Sequence, residues 1–380
     1  MRIAFLTTDN REHLKRYDKV DPVFGPAPSA VLEGLALFPK EIEVHVISCT
    51  RQVMNTPTKL AENIWFHQPL VPKTGWGRTF FLGGAWAVRN VLRDIKPDLV
   101  HGQGTEKDCS ISAVFSGYPN VLTIHGIMQA VARAKSAPLF SYYGMVSVLE
   151  RIAVKMSGGV ICNTTYTQGW IAPGARTTWK VPNCIRSAFL LPPKTRKREK
   201  VIVVIGTVIE YKQSVEILKM WSGMKDRTEG FQLVFIGGCG NTEYCQEFKR
   251  LVSDPAMEGH ASHLGWMESD EIVEFLNLAS GMIHFPTEES FGLVVAEGLS
   301  RNLKLFAANT GGIPDVVEGC EGVELFAHND WINLSNRILI WISLGAPIPS
   351  TFAVISKRFS PAEVARQHLK IYKELVNAAR

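Results

Sequence analysis

Val201-Ile-Val-Val-Ile205, the helical pattern of Ser214–Ser222 after it, and then Phe231-Gln-Leu-Val-Phe-Ile236 decide the fold class. Both runs are apolar almost without alternation, as in strands covered on two faces, and a crossover helix fits the interval between them. Working outward, similar runs fall near 2–8, 43–49, 64–70, 99–103, 121–125 and 159–163. Others fall near 231–237, 262–265, 281–285, 303–308 and 323–326, with a helical pattern over Glu243–Val252. Repeated β-α units make parallel sheets of the α/β class. A chain of 380 residues holds two such domains. Leu191-Pro-Pro-Lys-Thr-Arg-Lys-Arg-Glu-Lys200 separates them; it reads first as an exposed linker, with a phosphate-binding patch as the alternative. The expectation is two Rossmann-like, doubly wound parallel-sheet domains, 1–190 and 191–357, facing across a cleft at the carboxyl ends of their strands, where ligands bind. A last helix opens at Ser360-Pro361-Ala-Glu363, with an N-cap, a proline in the first turn and a capping-box acid.

Composition narrows the classes. At 46% hydrophobic and 20% charged the chain is globular. The longest uncharged apolar stretch, 338–349, falls short of the ~18 residues of a membrane span and holds two prolines. No signal-peptide layout precedes the strand-like start, so a cytoplasmic protein is expected. The seven scattered cysteines, with no Cys-x-x-Cys pair, read as free thiols. Residues 1–190 carry 21 Lys and Arg against 13 Asp and Glu, a balance of +8, and residues 191–380 carry 20 against 23, or −3. A basic first half suggests an anionic partner, although scattered surface lysines explain so modest an excess equally well. Nucleic acid is not expected, because the basic residues do not cluster with aromatics.

The chemistry concentrates in His284-Phe-Pro-Thr-Glu-Glu-Ser-Phe-Gly-Leu-Val-Val-Ala-Glu297. A strand ends, a loop follows, and a helix starts near Gly292, whose N-terminal N–H groups suit a phosphate. Glu289 lies in the loop and Glu297 inside the helix, so the two carboxylates reach different parts of one ligand. A carboxylate accepting adjacent hydroxyls is a common way to hold a ribose or hexose. The plainer alternative is that both acids only complement the helix dipole.

Glu289-x7-Glu297 around Ser290-Phe291-Gly292-Leu293, with Pro286 before and Thr310-Gly-Gly-Ile-Pro314 after, resembles the signature of retaining glycosyltransferases of GT-B fold, glycosyltransferase family 4. Lys96-Pro-Asp-Leu-Val-His101, Leu122-Thr-Ile-His-Gly126, Val181-Pro-Asn183, 206–212 and Ile371-Tyr-Lys-Glu-Leu375 extend the resemblance over most of the chain. It implies that Glu289 binds donor-sugar hydroxyls, and that Ser290 and the N–H groups of Phe291, Gly292 and Leu293 meet sugar and phosphate oxygens. Glu297 would take the ribose, Lys212 the leaving diphosphate, and His125 the sugar near its reacting carbon. The implied donor is a UDP- or GDP-sugar, the acceptor a glycan or lipid-linked molecule. No metal or other cofactor is implied, the terminal helix 358–380 closes the acceptor-side domain, and peripheral contact with an anionic membrane is a further expectation.

Several positions depart from the family pattern. Thr207 stands where an arginine usually faces the diphosphate. In Val23-Phe-Gly-Pro-Ala-Pro-Ser29 two prolines remove donors from the expected phosphate turn, leaving Gly25 as the point of close approach. Lys304 replaces a common proline, Val181-Pro-Asn-Cys-Ile185 lacks the usual Asn-Gly, and Asn302 replaces a glycine. These changes keep two alternatives open: a catalytically weak homologue that binds sugar or a partner, and a GT-B nucleotide-sugar epimerase. Gly237-Gly-Cys-Gly240 reads as a strand-to-helix turn rather than a dinucleotide loop. Thr74-Gly-Trp-Gly-Arg-Thr-Phe-Phe-Leu-Gly-Gly-Ala-Trp86 reads first as core packing, with a membrane-interface or lipid-acceptor surface as the alternative.

Overall fold

The structure is a computed structural model that describes residues 1–193 and 197–379; positions 194–196 of the proline-rich joint and the final residue of the last helix lie outside the described residues. It consists of two compact units, Met1–Arg186 with Phe359–Arg380, and Ser187–Arg358.

The first unit contains β1 (Arg2–Leu6), β2 (Glu43–Ile47), β3 (Lys59–Ala61), β4 (Ile64–His67), β5 (Leu99–Gln103), β6 (Asn120–Ile124), β7 (Val160–Cys162) and β8 (Thr178–Lys180). They form one sheet in the order β3-β4-β2-β1-β5-β6-β7-β8. Every pairing is parallel except that of β3 with β4, a short antiparallel edge. The sequence reading contained six of these strands and missed β3 and β8, each a three-residue edge. Helix Pro361–Ala379 packs on this unit. Gly34 lies so close to Pro361 and Ala365 that a methyl group there would meet the Pro361 carbonyl. Glu363 N–H donates to Ser360 Oγ at 3.3 Å, the expected N-cap.

The second unit holds β9 (Val201–Ile205), β10 (Gln232–Ile236), β11 (Ala261–His263), β12 (Gly281–His284), β13 (Lys304–Ala308) and β14 (Val323–Phe326), all parallel, in the order β11-β10-β9-β12-β13-β14. All five residues of β9 are buried, as its unbroken apolar run requires. The chain builds outward from β9 to β11, then returns to the other side of β9 for β12. The strand order therefore reverses between β9 and β12, and a crevice opens there between diverging loops. In the first unit the same reversal lies between β1 and β5.

All seven cysteines are free. Among the described residues no helix is long and apolar enough to cross a membrane.

Candidate functional site

The loops at the reversal of the second unit carry Lys212 and Glu289. β9 ends at Ile205, and the chain passes Gly206 and the exposed Thr207 into a single 3-10 turn, Glu210–Lys212. β12 ends at His284 and leads into the Glu289 loop. One backbone hydrogen bond ties the two loops together, from Thr287 N–H to the Tyr211 carbonyl at 2.8 Å. Lys212 Nζ then donates to Glu289 Oε2 at 2.5 Å. His284 Nε2 lies 3.0 Å from the same oxygen. Burial pushes the Glu289 carboxyl up, but the Lys212 ammonium and the His284 hydrogen bond outweigh it and hold the group well below the usual carboxylate range. Burial lowers His284 despite Glu289, so the neutral ring donates from Nε2 to an ionised carboxylate.

Backbone geometry fixes where Glu289 stands. Gly312 N–H donates to the Glu289 carbonyl at 2.9 Å. Gly311, at φ +54°, passes so close that a side-chain carbon there would land on that carbonyl oxygen. The Thr310-Gly-Gly segment is thus a clamp on the Glu289 backbone, and it admits only glycine at 311. Gly292, at φ +87°, caps helix Leu293–Leu299 with no side-chain capping bond. Phe291 and Ser290 are buried just before it, and Glu297 is buried within the helix. The arrangement places a cation, a carboxylate and a helix N-terminus around the β9–β12 crevice, which suits a phosphorylated, hydroxyl-rich ligand.

The remaining expected residues lie in the first unit. Gly25, at φ −62°, is the N-cap of helix Pro26–Ala36, and a side chain there would make only an ordinary contact with Pro28. Among the described residues no close approach demands a glycine at that position. His125 follows β6, and its Nε2 lies 2.8 Å from Gln103 Oε1. Burial pushes its pKa down to about 4 against the opposing influence of Asn183, so the ring is neutral. Behind it, Gln103 reaches His101, whose Nδ1 is 2.6 Å from the Tyr372 hydroxyl of the terminal helix. His284, Gln103 and Asn183 were not read as site residues from the sequence; only their positions at strand ends hinted at it.

Two of the departures and the Gly237 turn find structural reasons. Lys304 is buried and donates to Glu324 at 2.7 Å, an ion pair that Arg337 completes at 2.5 Å. Asn302 adopts φ +60°, and its Oδ1 accepts from Thr351 and Phe352 N–H at 2.9 and 2.8 Å. It both turns the chain and caps helix Phe352–Arg358. Gly237 packs its backbone onto the Gly206 carbonyl, leaving no space for a side chain, and a helix capped by Thr242 follows. The aromatic stretch 74–86 is not uniformly core: Phe81 is buried, whereas Phe80, Leu82 and Trp86 are exposed.

Comparison with known sequences identifies the group. The family described as Glycosyl transferases group 1 matches residues 191–352, and Glycosyltransferase Family 4 matches 33–186. The chain belongs to the group 1, family 4 glycosyltransferases. Among curated relatives of this glycosyltransferase-family chain is the GPI3 subunit of phosphatidylinositol N-acetylglucosaminyltransferase from Saccharomyces cerevisiae. It is 23% identical over 206 residues, 51% of this chain and 45% of that one. Another, the Dictyostelium discoideum GDP-Man:Man(3)GlcNAc(2)-PP-Dol alpha-1,2-mannosyltransferase, is 22% identical over 261 residues, 62% and 51% of the two chains. The chain spans about half the length of these relatives. Sucrose-phosphate synthase from Thermosynechococcus elongatus superposes with a TM-score of 0.78 at 16% identity over 100% of both chains. Anabaena HepE, solved with UDP and glucose, gives 0.72 at 17% over 98% and 100%. The fold is GT-B.

Proposed function

We propose that the chain is a retaining, metal-independent hexosyltransferase. It moves a sugar from a UDP- or GDP-sugar to a glycan or lipid-linked acceptor in cell-surface polysaccharide or glycolipid synthesis. The second unit receives the donor and the first the acceptor. The observation that carries this reading is the convergence of Lys212 and Glu289 at the β9–β12 reversal, with the Glu289 backbone clamped by Gly311 and Gly312. Names of relatives agree with it: two are sugar transferases whose names carry a phosphatidylinositol or a dolichyl diphosphate, and HepE was solved with UDP-glucose.

In this mechanism the donor diphosphate takes over Lys212 and the N–H groups at the start of helix Leu293–Leu299. Glu289, released from the lysine, accepts sugar hydroxyls while His284 holds its other contact. Glu297 binds the ribose. Breaking the sugar–phosphate bond leaves negative charge on the diphosphate, which Lys212 stabilises more in the transition state than in the ground state. The leaving phosphate removes the acceptor proton on the same face of the sugar, so the anomeric configuration is kept. The resemblance gives His125 the sugar contact near the reacting carbon, and its ring is neutral for that role.

Thr207, exposed where a second cation is usual, favours one other reading: a weakly active homologue that mainly binds sugar. Hydrolysis of a panel of UDP-, GDP- and ADP-sugars separates the two. Turnover that survives EDTA and is lost in both Glu289→Ala and Lys212→Ala is expected, with retained anomers by NMR. A wild-type protein that binds no nucleotide sugar rejects the transferase reading, and an inverted product rejects the retaining mechanism.

A further inference from the structure

The strand order of the first unit reverses between β1 and β5, and a cavity of about 680 Å³ sits there, within the size range of small-ligand sites. The loops after β1, β2 and β5 supply Thr8, Asp9, Arg51 and Lys107 to its wall. The floor is rigid. Arg11, wholly buried, grips the Asp9 carboxylate through Nε and Nη2 at 2.9 and 2.7 Å. Its Nη1 donates to the carbonyls of Lys19, Val20 and Asn55. Asp9 also accepts from the N–H of Val23 and the amide of Gln68, so its charge is consumed internally. Glu12, the other acid on the wall, pairs with Arg51 at 3.9 Å and accepts from its N–H at 3.0 Å.

What remains on the wall is positive. Neither Lys73 nor Arg78 has a side-chain hydrogen-bond or ion-pair partner among the described residues. Lys107 feels the buried Asp108 carboxyl, which burial pushes up, but makes no salt bridge with it. The same wall carries Trp76, Phe81 and Tyr142. Their chain neighbours Phe80, Leu82, Leu139 and Phe140 stand more than half exposed. Phe80 and Phe81 both adopt left-handed backbone, at φ +53° and +63°, so that one faces solvent and the other the cavity wall. Bulky residues seldom adopt that conformation. A cationic hollow with an exposed apolar rim matches a molecule with an anionic head on a hydrocarbon body.

We propose that this cavity binds the phosphate-bearing head of an amphiphilic lipid acceptor, with Lys73, Arg78 and Lys107 on the phosphate and the Phe80–Leu82 and Leu139–Phe140 rim against the hydrocarbon. This rests on the reading that the first unit receives the acceptor, and it specifies the acceptor's chemical class. Lys73 and Arg78 have no structural partner among the described residues and Lys107 makes no salt bridge, so removing the three charges leaves the fold intact.

The test is calorimetric titration of the full chain with three probes. These are dihexanoylphosphatidic acid, inorganic pyrophosphate as a chainless phosphate anion, and dihexanoylglycerol as chain without head. The phosphatidic acid is expected to bind at least about ten-fold more tightly than either of the others, as each lacks half of the contacts. Combined Lys73→Ala, Arg78→Ala and Lys107→Ala substitutions should weaken it by at least about ten-fold, and Phe80→Ser with Leu82→Ser should bring it towards pyrophosphate. Lys73→Arg with Arg78→Lys, which keeps both charges, should restore most of the binding. Equal binding of pyrophosphate or of dihexanoylglycerol, wild-type binding by the triple variant, or no binding of any probe overturns the assignment. UDP and GDP titrated into the same samples report on the donor reading. Lipid binding without nucleotide binding rejects only the donor site, and nucleotide binding without lipid binding rejects only this cavity's role.

Discussion

Replacing Gly311 by alanine perturbs the Glu289 loop in two ways at once. The position lies at φ +54°, where a side-chain carbon costs about 1–2 kcal/mol. The new methyl group also lands on the Glu289 carbonyl, so the 2.9 Å bond from Gly312 N–H is lost or lengthened, for about 1 kcal/mol more. At about 2–4 °C per kcal/mol for a unit of this size, the melting temperature should fall by about 4–12 °C. Gly230 separates the two effects. Its φ is +83°, nothing lies within 4 Å of a side-chain carbon there, and it sits before β10, at the amino edge of the sheet. Gly230→Ala therefore carries the backbone penalty without touching Glu289. Nucleotide-sugar hydrolysis, measured well below both melting temperatures, should stay near wild type in Gly230→Ala. In Gly311→Ala, kcat/KM should drop by about a hundred-fold, because a shift of about 1 Å in a ligand-holding carboxylate costs that much. Equal turnover in the two variants would refute the claim that the glycine clamp positions Glu289.

Three other outcomes are expected. Thr207→Arg restores a second cation on an exposed loop next to Lys212, and should tighten UDP or GDP binding by about ten-fold, read by calorimetry, with little change in melting temperature. Asn302→Ala removes the acceptor for the N–H groups of Thr351 and Phe352 at the start of helix Phe352–Arg358 and leaves alanine at positive φ; it should cost about 2–3 kcal/mol in urea unfolding, whereas Asn302→Gly, which tolerates that φ, should cost less. His368 is buried against the sheet with Nδ1 donating to the Val364 carbonyl, and burial pushes its pKa down to about 4 from an ordinary 6.5. The folded base is harder to protonate than the unfolded one, so its share of stability is intact above pH 6.5 and is lost as pH falls towards 4. At pH 5 that loss is about 2 kcal/mol. Urea midpoints between pH 7 and 4.5 should fall less steeply in His368→Gln, by about one proton's worth of slope.

The sequence made the sheets legible where burial is complete. β9 is apolar and buried throughout, and β10, β12 and β13 each hold a buried apolar run with a polar residue only at one end, so these runs need no help from tertiary context. β3 and β8 lie at the sheet edge, and their three residues include Lys59 and Lys180, which no apolar run could signal. Within the site, Glu289 was visible from its place in the loop before a helix, whereas Lys212 came only from the family resemblance. His284 was hidden, since it closes a buried strand and reads as core until the loop folds back on it. Asn302 was read as a residue tolerant of left-handed backbone; that its amide also caps a helix some fifty residues away depends on a contact that local sequence does not encode. The stretch 74–86 was misjudged because composition cannot tell an aromatic that packs inward from its neighbour turned out by a left-handed kink.

The terminal helix has a temporal consequence. The second unit is one continuous segment, Ser187–Arg358, whereas the first needs both ends of the chain, with Tyr372 bonded to His101 and Pro361 lodged against Gly34. During synthesis the later-encoded unit has all its parts on hand while the earlier-encoded one still waits for its last helix. A truncation that removes helix Pro361–Ala379 would therefore wound the first unit, far from the cut in sequence. The nascent chain cannot finish its first unit until the ribosome has read the codons of that helix.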